Sequence, residues 1–226
     1  MWYLENIDAE GIFCPQKMDA HQESHSLLSY KKGDYIFVPE DKAESIYYIS
    51  SGRVKIGTES DSEKTVTKAI LSRGEIFGEM ALAGAQKRRD YAQALEKTEL
   101  CVISKSEMTS LFRDHNPLYF FIMKLIGNRA LEMEKRLESL VFKDSRSRII
   151  EFLITLNERK GQRVGYEWVV RKFMTHQEIA NLTATSRQTV TTILNELKQK
   201  NILTFNRKRL LIRDINKLKS ELQTTQ

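Results

Sequence analysis

Met174-Thr-His-Gln-Glu-Ile-Ala-Asn-Leu-Thr-Ala-Thr-Ser-Arg-Gln-Thr-Val-Thr-Thr-Ile-Leu-Asn-Glu-Leu197 holds two short helical patterns with a tight break between them. Thr175 stands where an N-cap belongs, and Glu178 follows at the spacing that lets hydroxyl and carboxylate each satisfy a free backbone N–H. Ile179, Ala180 and Leu182 make the first apolar face. The break falls at Leu182-Thr-Ala-Thr185, where the small Ala184 is expected to let two helices approach closely. Ser186 then caps a second helix whose apolar stripe is Val190, Ile193, Leu194 and Leu197. Its other face carries Arg187, Gln188 and Thr191, with Thr192 a turn along.

This pattern predicts a helix-turn-helix with its recognition helix at 186–197. A guanidinium matches the O6/N7 edge of guanine and a carboxamide the N6/N7 edge of adenine, so Arg187 and Gln188 are the candidate base readers. Thr175, Ser186, Thr189 and Lys208 are candidate phosphate contacts, and His176, Gln177, Thr191, Thr192 and Arg207 complete the candidate DNA surface. An ordinary helical hairpin with a polar outer face is the competing reading. A short, capped second helix flanked by hydroxyls favours DNA.

The charge distribution agrees. Residues 142–226 hold 17 Lys/Arg against 8 Asp/Glu, whereas residues 1–141 hold 19 against 22. A basic C-terminal part on a slightly acidic N-terminal part is the footprint of a DNA-binding module joined to a different domain. No apolar run approaches the ~20 residues a membrane span requires, and the N-terminus lacks a signal-peptide pattern. A cytoplasmic protein is expected. Cys14 and Cys101 are too far apart for a metal motif or a disulfide framework, and Cys101 reads as a packing residue. His21 and His25 lie four apart, but no third ligand is near, and a solvated helical face explains them.

From Leu28 to Ser104 the chain reads as short strands: Asp34–Val38, Ile46–Ser50, Arg53–Thr58, Lys64–Leu71, Tyr91–Glu96 and Leu100–Ser104. Turns fall at Lys32-Gly33, Ser51-Gly52, Asp61-Ser62 and Arg73-Gly74. Such spacing predicts an antiparallel barrel, roll or sandwich. Within it, Gly74-Glu-Ile-Phe-Gly78-Glu-Met-Ala-Leu82 is expected to form a short helical turn with Arg88 and Arg89 following. A freed backbone at Gly78, amides at Glu79, Met80 and Ala81, a carboxylate for sugar hydroxyls and an arginine for phosphate are the parts of a nucleotide pocket. An exposed acidic–basic loop would look similar, and the residues alone leave both readings open.

Asn116 to Phe142 is one long helical pattern in which Ile126, Ala130, Met133, Leu137 and Leu140 make a heptad-like seam. A core-facing amphipathic helix would show a similar seam, but the flanking Glu132, Lys135 and Arg136 favour pairing of two subunits, and close approach of a partner helix would explain Gly127. Asp144 is placed to cap the next helix, Ser145–Arg159. Gly161 and Gly165 bracket a loop, and Glu167–Lys172 reads as a strand. Ile202–Phe205 and Leu210–Arg213 flank a basic tip, Asn206-Arg-Lys-Arg209, as a wing would, and Asp214 caps a last helix through Leu222. The expected organisation is an α+β chain: an antiparallel β-roll or jelly-roll sensor domain at 1–115, a dimerisation helix at 116–142 and a winged helix-turn-helix domain at 143–226.

Taken together, the whole chain resembles the CRP/FNR family of bacterial transcription regulators. Gly74-Glu-Ile-Phe-Gly78-Glu79 is similar to the family's cassette signature. Thr175-x-x-Glu-Ile-Ala with Thr185-Ser-Arg-Gln-Thr-Val190 is similar to its DNA-reading signature. The resemblance implies a homodimer that binds a two-fold symmetric DNA site and contacts RNA polymerase, with a cyclic nucleotide as the ligand class of its pocket. Several positions depart from the family pattern. Arg88 is followed by Arg89-Asp90-Tyr91 instead of serine and alanine. Met133-Glu134 stands where the best-known member presents two hydroxyls to adenine. Cyclic AMP is therefore expected to bind weakly or not at all. Cys14 alone cannot hold an iron–sulfur cluster. Gln188 and Thr192 stand where many members have glutamate and arginine, so a different half-site is expected.

Two other readings compete. A cupin-like metal oxygenase needs histidines converging on a metal, and none of His21, His25, His115 and His176 falls on a candidate strand, so no enzyme is expected. A nucleotide-sensing regulatory subunit without DNA binding would not need the capped recognition helix and the basic wing.

Overall fold

The computed structural model describes residues 9–13, 26–59, 65–114, 116–206 and 208–222. Cys14, His21, His25, His115, Arg207 and the Asp61-Ser62 turn lie outside the described residues. The chain divides into two compact units, Met1–Leu131 and Glu132–Gln226.

Among its described residues the first unit has helix α1 (Ala9–Phe13) and eight antiparallel strands: β1 (Ser26–Tyr30), β2 (Tyr35–Phe37), β3 (Ser45–Ser51), β4 (Arg53–Glu59), β5 (Thr65–Ser72), β6 (Ile76–Phe77), β7 (Tyr91–Ala94) and β8 (Thr98–Ser104). They form two four-stranded sheets, β1-β8-β3-β6 and β2-β7-β4-β5. Strand β3 explains how both faces of the first sheet are covered. Its five central residues are all buried, and a period of two sends them to opposite sides. Tyr47 and Ile49 join Phe37, Val54, Leu71, Phe77 and Ala92 in one cluster. Ile46 and Tyr48 join Phe13, Ile103, Met108, Leu118 and Ile122 in another, supplied by α1, α2 (Lys105–Asp114) and the start of α3 (Asn116–Phe142). Strands β1 and β6 and helices α1 and α2 are additional to the pattern read from the sequence.

The second unit is built around α4 (Ser145–Lys160), α5 (His176–Thr183) and α6 (Arg187–Gln199). A four-stranded sheet in the order β11-β12-β10-β9 accompanies them, with β9 (Gly161–Val164), β10 (Glu167–Arg171), β11 (Leu203–Phe205) and β12 (Arg209–Ile212). The segment expected as a loop after Gly161 is thus strand β9, paired to β10 from Gly161 through Val164. Ile149, Ile150, Leu153, Ile179, Ala180, Val190, Ile193, Leu194, Leu197 and Leu210 share one buried cluster, so the stripes of α4 and α6 and most of the α5 face meet in one core, with Leu182 only partly buried. Asp144 caps α4 by accepting from the Ser147 N–H at 2.7 Å, and Asp214 caps α7 (Ile215–Ser220). No helix among the described residues is long and apolar enough to cross a membrane.

Cys101 is buried and disulfide-bonded. It packs in the cluster with Phe13 and Ile103, as a packing residue should, but the bond corrects the expectation that the cysteines make no disulfide, which sequence spacing could not reveal; Cys14 is outside the described residues.

Candidate nucleic-acid interface and effector pocket

The N-terminus of α5 is a complete capping box. Thr175 Oγ1 accepts from Glu178 N at 3.2 Å while Glu178 Oε2 accepts from Thr175 N at 2.7 Å. Ser186 caps α6 through a 3.0 Å bond accepted from Thr189 N, and its hydroxyl also meets Thr189 Oγ1 at 2.8 Å. Ala184 between them has φ 49°, a left-handed turn residue, and it is exposed. It therefore makes the turn by backbone conformation, not by admitting a close helix contact, which corrects the expectation from its size. Arg148 of α4 pins that turn, donating from Nε to Thr183 O at 2.9 Å and from Nη2 to Ala184 O at 3.0 Å.

With both caps satisfied, the base-reading candidates are left free. Arg187 and Gln188 are exposed, and no hydrogen bond among the described residues engages their side chains. Thr192 is exposed too. Gln177 instead donates to Asn181 Oδ1 at 2.8 Å. Thr191 donates its hydroxyl to Arg187 O at 2.9 Å and meets His176 Nδ1 at 2.8 Å. In the wing, the Asn206 carboxamide oxygen accepts from Lys208 N at 2.8 Å and from Arg209 N at 3.0 Å. That side-chain turn presents Lys208 and Arg209 to solvent. Lys172 has φ 54° and ends β10 one residue before the expected end; its N–H donates to Lys208 O at 2.8 Å, tying the tip back.

The pocket of the first unit is built differently. Gly78 has φ 83°, and a Cβ there would lie 2.9 Å from Ser45 O, so only glycine fits the turn. A 3-10 turn, Glu79–Ala81, follows as expected, but Ala81 N and Leu82 N are spent on Gly78 O and Glu79 O. Met80 is exposed and Ala81 buried. Arg88 is 6% exposed. It donates from Nη1 to Gly78 O at 3.1 Å and from Nη2 to Ser45 O at 2.5 Å. Its guanidinium stacks 4.4 Å from the Phe37 ring centroid. Burial pulls its pKa down, opposed by Tyr47 and by the Glu79 and Asp41 charges. Arg88 Nε, also buried, has no partner.

Glu79, equally buried at 6%, forms an ion pair with Arg129 of α3, whose Nη2 also donates to Ile76 O at 2.5 Å. Arg129 was not among the residues read from the sequence. It lies 50 positions from Glu79, and its only signal was a charge close to the apolar seam. Arg89 is exposed. Asp90 is held by Lys68 of β5 at 2.6 Å, so it is a neutralised carboxylate rather than the free charge that would repel a phosphate.

Comparison with known proteins gives two domain matches. A cyclic nucleotide-binding domain matches residues 27–115 and a Crp-like helix-turn-helix domain matches residues 147–221. The chain is 29% identical over 189 residues to the cyclic AMP receptor protein of Thermus thermophilus, covering 84% of each. It is 26% identical over 186 residues to the global nitrogen regulator of Synechocystis, covering 81% of this chain and 83% of that one. A CooA mutant from Carboxydothermus hydrogenoformans superposes with a TM-score of 0.78 at 25% identity, over 97% of this chain and 93% of that one.

Proposed function

This chain belongs to the CRP/FNR family of DNA-binding transcription regulators, and we propose that it acts as a cytoplasmic homodimer on a two-fold symmetric DNA site. The observation that carries the reading is the exposed, unpartnered pair Arg187 and Gln188 at the start of a capped helix. Arg187 reads a guanine and Gln188 an adenine in the major groove. Thr175, Ser186, Thr189 and Lys208 position the domain on phosphates. Thr191 and Thr192 border the readers, and RNA polymerase is the partner that a bound dimer would engage.

Dimerisation follows from α3. Met133, Leu137 and Leu140 are about half exposed or more and Ala130 is exposed, an apolar stripe on one face of the helix that a second copy would bury. Gly127 has open space beside it, as a close helix crossing requires.

Cyclic nucleotide is a poor fit to the pocket. Its phosphate-binding arginine donates to two backbone carbonyls and its carboxylate is paired with Arg129. A nucleotide would have to displace those partners. The regulator therefore binds DNA without cyclic AMP, either always competent or switched by another ligand. Selection from a random DNA pool, with and without cyclic AMP, tests both statements. A two-fold symmetric motif recovered equally in both arms is expected. Sedimentation of the wild type and of Ala130→Glu tests the pairing, and a wild type that runs as a monomer at micromolar concentration overturns it.

A further inference from the structure

We infer that His176 is a proton-gated phosphate contact, which takes up a proton as the DNA backbone arrives and makes DNA binding tighter as the pH falls. The inference rests on the DNA-binding reading above and adds to it a linkage between protons and DNA.

The hydrogen bonds fix the tautomer. The Thr191 hydroxyl has one hydrogen, and Arg187 O at 2.9 Å can only accept it. The 2.8 Å contact between Thr191 Oγ1 and His176 Nδ1 is then donated by the ring. In the neutral ring Nε2 consequently carries the lone pair, and no described residue bonds to it. The ring is also held in place, 5.4 Å and edge-on from Phe205 of the wing strand β11. His176 thus links α5 to the recognition helix through Thr191 and to the wing through Phe205.

The charges around the ring are those of a site short of an anion. Burial lowers the histidine pKa, and Arg187 from α6 lowers it further. Lys198, also from α6, sits 5.8 Å from the Phe205 ring centroid. Strand β11 contributes only that apolar ring. On α5 itself the carboxylate of Glu178 is committed to Thr175 N. A phosphate would supply the missing negative charge. It repels the bare Nε2 lone pair but accepts strongly from a protonated Nε2–H.

The sign follows from linkage. In the free protein, burial and Arg187 hold the His176 pKa below the usual histidine range, and a phosphate in the complex would raise it. Protons are therefore taken up on binding. Affinity rises as the pH falls from the bound pKa to the free pKa, and levels off below it.

The test is fluorescence anisotropy of the full chain on a labelled duplex carrying the selected site, at fixed ionic strength from pH 8 to pH 5.5. The wild type should tighten by about tenfold or more across that range, since one proton linked at each of two sites allows up to roughly a hundredfold per pH unit. His176→Gln, which keeps a hydrogen bond to Thr191 but cannot gain charge, should be weaker at low pH and nearly flat. His176→Arg should be flat and tight throughout, which also shows that the position tolerates change. Proton NMR of the His176 ring, free and DNA-bound, should show a higher pKa in the complex. A wild-type slope equal to that of His176→Gln, with sequence-preferring binding intact, overturns the inference and leaves the DNA-binding reading standing. No sequence-preferring binding at any pH overturns both.

Discussion

The recognition surface and the sensor pocket carry similar residue types in opposite states. At the surface, backbone groups are satisfied by Thr175, Glu178 and Ser186, and the chemistry-bearing Arg187 and Gln188 are left without partners. In the pocket, Arg88 and Glu79 are themselves the buried groups, and they are paired with Ser45 O, Gly78 O and Arg129. An arginine kept exposed gives its hydrogen bonds to whatever ligand arrives. An arginine buried without water must find partners inside the protein, because an unpaired buried charge costs several kcal/mol. The first arrangement is ready for a partner; the second has supplied its own.

The largest test of that contrast is Arg129→Ala. It strips the partner from a carboxylate whose side chain is only 8% exposed. A loss of about 2–3 kcal/mol in urea unfolding of the first unit is expected, below the range for a fully buried pair because Arg129 is 31% exposed. Glu79→Gln in the same chain should recover part of the loss. DNA sequence preference should not change. If Arg129→Ala is as stable as the wild type, the pocket is not internally paired in solution. With the carboxylate released, calorimetric titration should also show cyclic AMP binding more tightly to Arg129→Ala than to the wild type.

Next in size is Arg187→Ala, which should cost ~1–3 kcal/mol per half-site and relax preference at one guanine. Competition with single-base variants of the selected site measures it. Unchanged preference would remove Arg187 from the readers. Ser186→Ala should lower the stability of the second unit by about 1 kcal/mol through the lost cap, read as a shift in denaturation midpoint. Its DNA affinity should fall across all sequences, since the cap positions the helix and touches no base.

The difference between the two surfaces also decides what was legible in the sequence. The helix-turn-helix is written in local spacing. Caps three residues before their partner amides and a stripe from Val190 to Leu197 set each helix, and the structure follows them. The turn residue was located but misexplained, because a left-handed φ at Ala184 leaves no mark in composition. The long strand β3 was readable as an apolar run. Strand β1 was not, since Leu27 and Leu28 are adjacent and both exposed, which breaks alternation. Strand β6 has only two residues. Pocket pairing was out of reach for a further reason. Glu79 and Arg129 meet only after the roll and α3 have packed, and no local rule connects positions so far apart.

The smallest expected effect concerns Lys208. It stands exposed beside the turn that Asn206 builds, with its backbone carbonyl tied to Lys172 N. The tip is therefore held by main-chain and carboxamide bonds, and the lysine side chain is free to act as a point charge toward phosphate. Removing it should leave the fold intact and weaken all DNA sequences alike, by roughly 0.5–1 kcal/mol per subunit at moderate salt. The more decisive readout is the salt dependence. Each phosphate contact contributes a slope of about 0.9 in log K against log salt, so Lys208→Ala should flatten the slope by about one unit per subunit. A Lys208→Ala protein that loses sequence preference while keeping its salt slope would move this residue from the backbone contacts to the base readers. The wing would then resemble the recognition helix rather than its support.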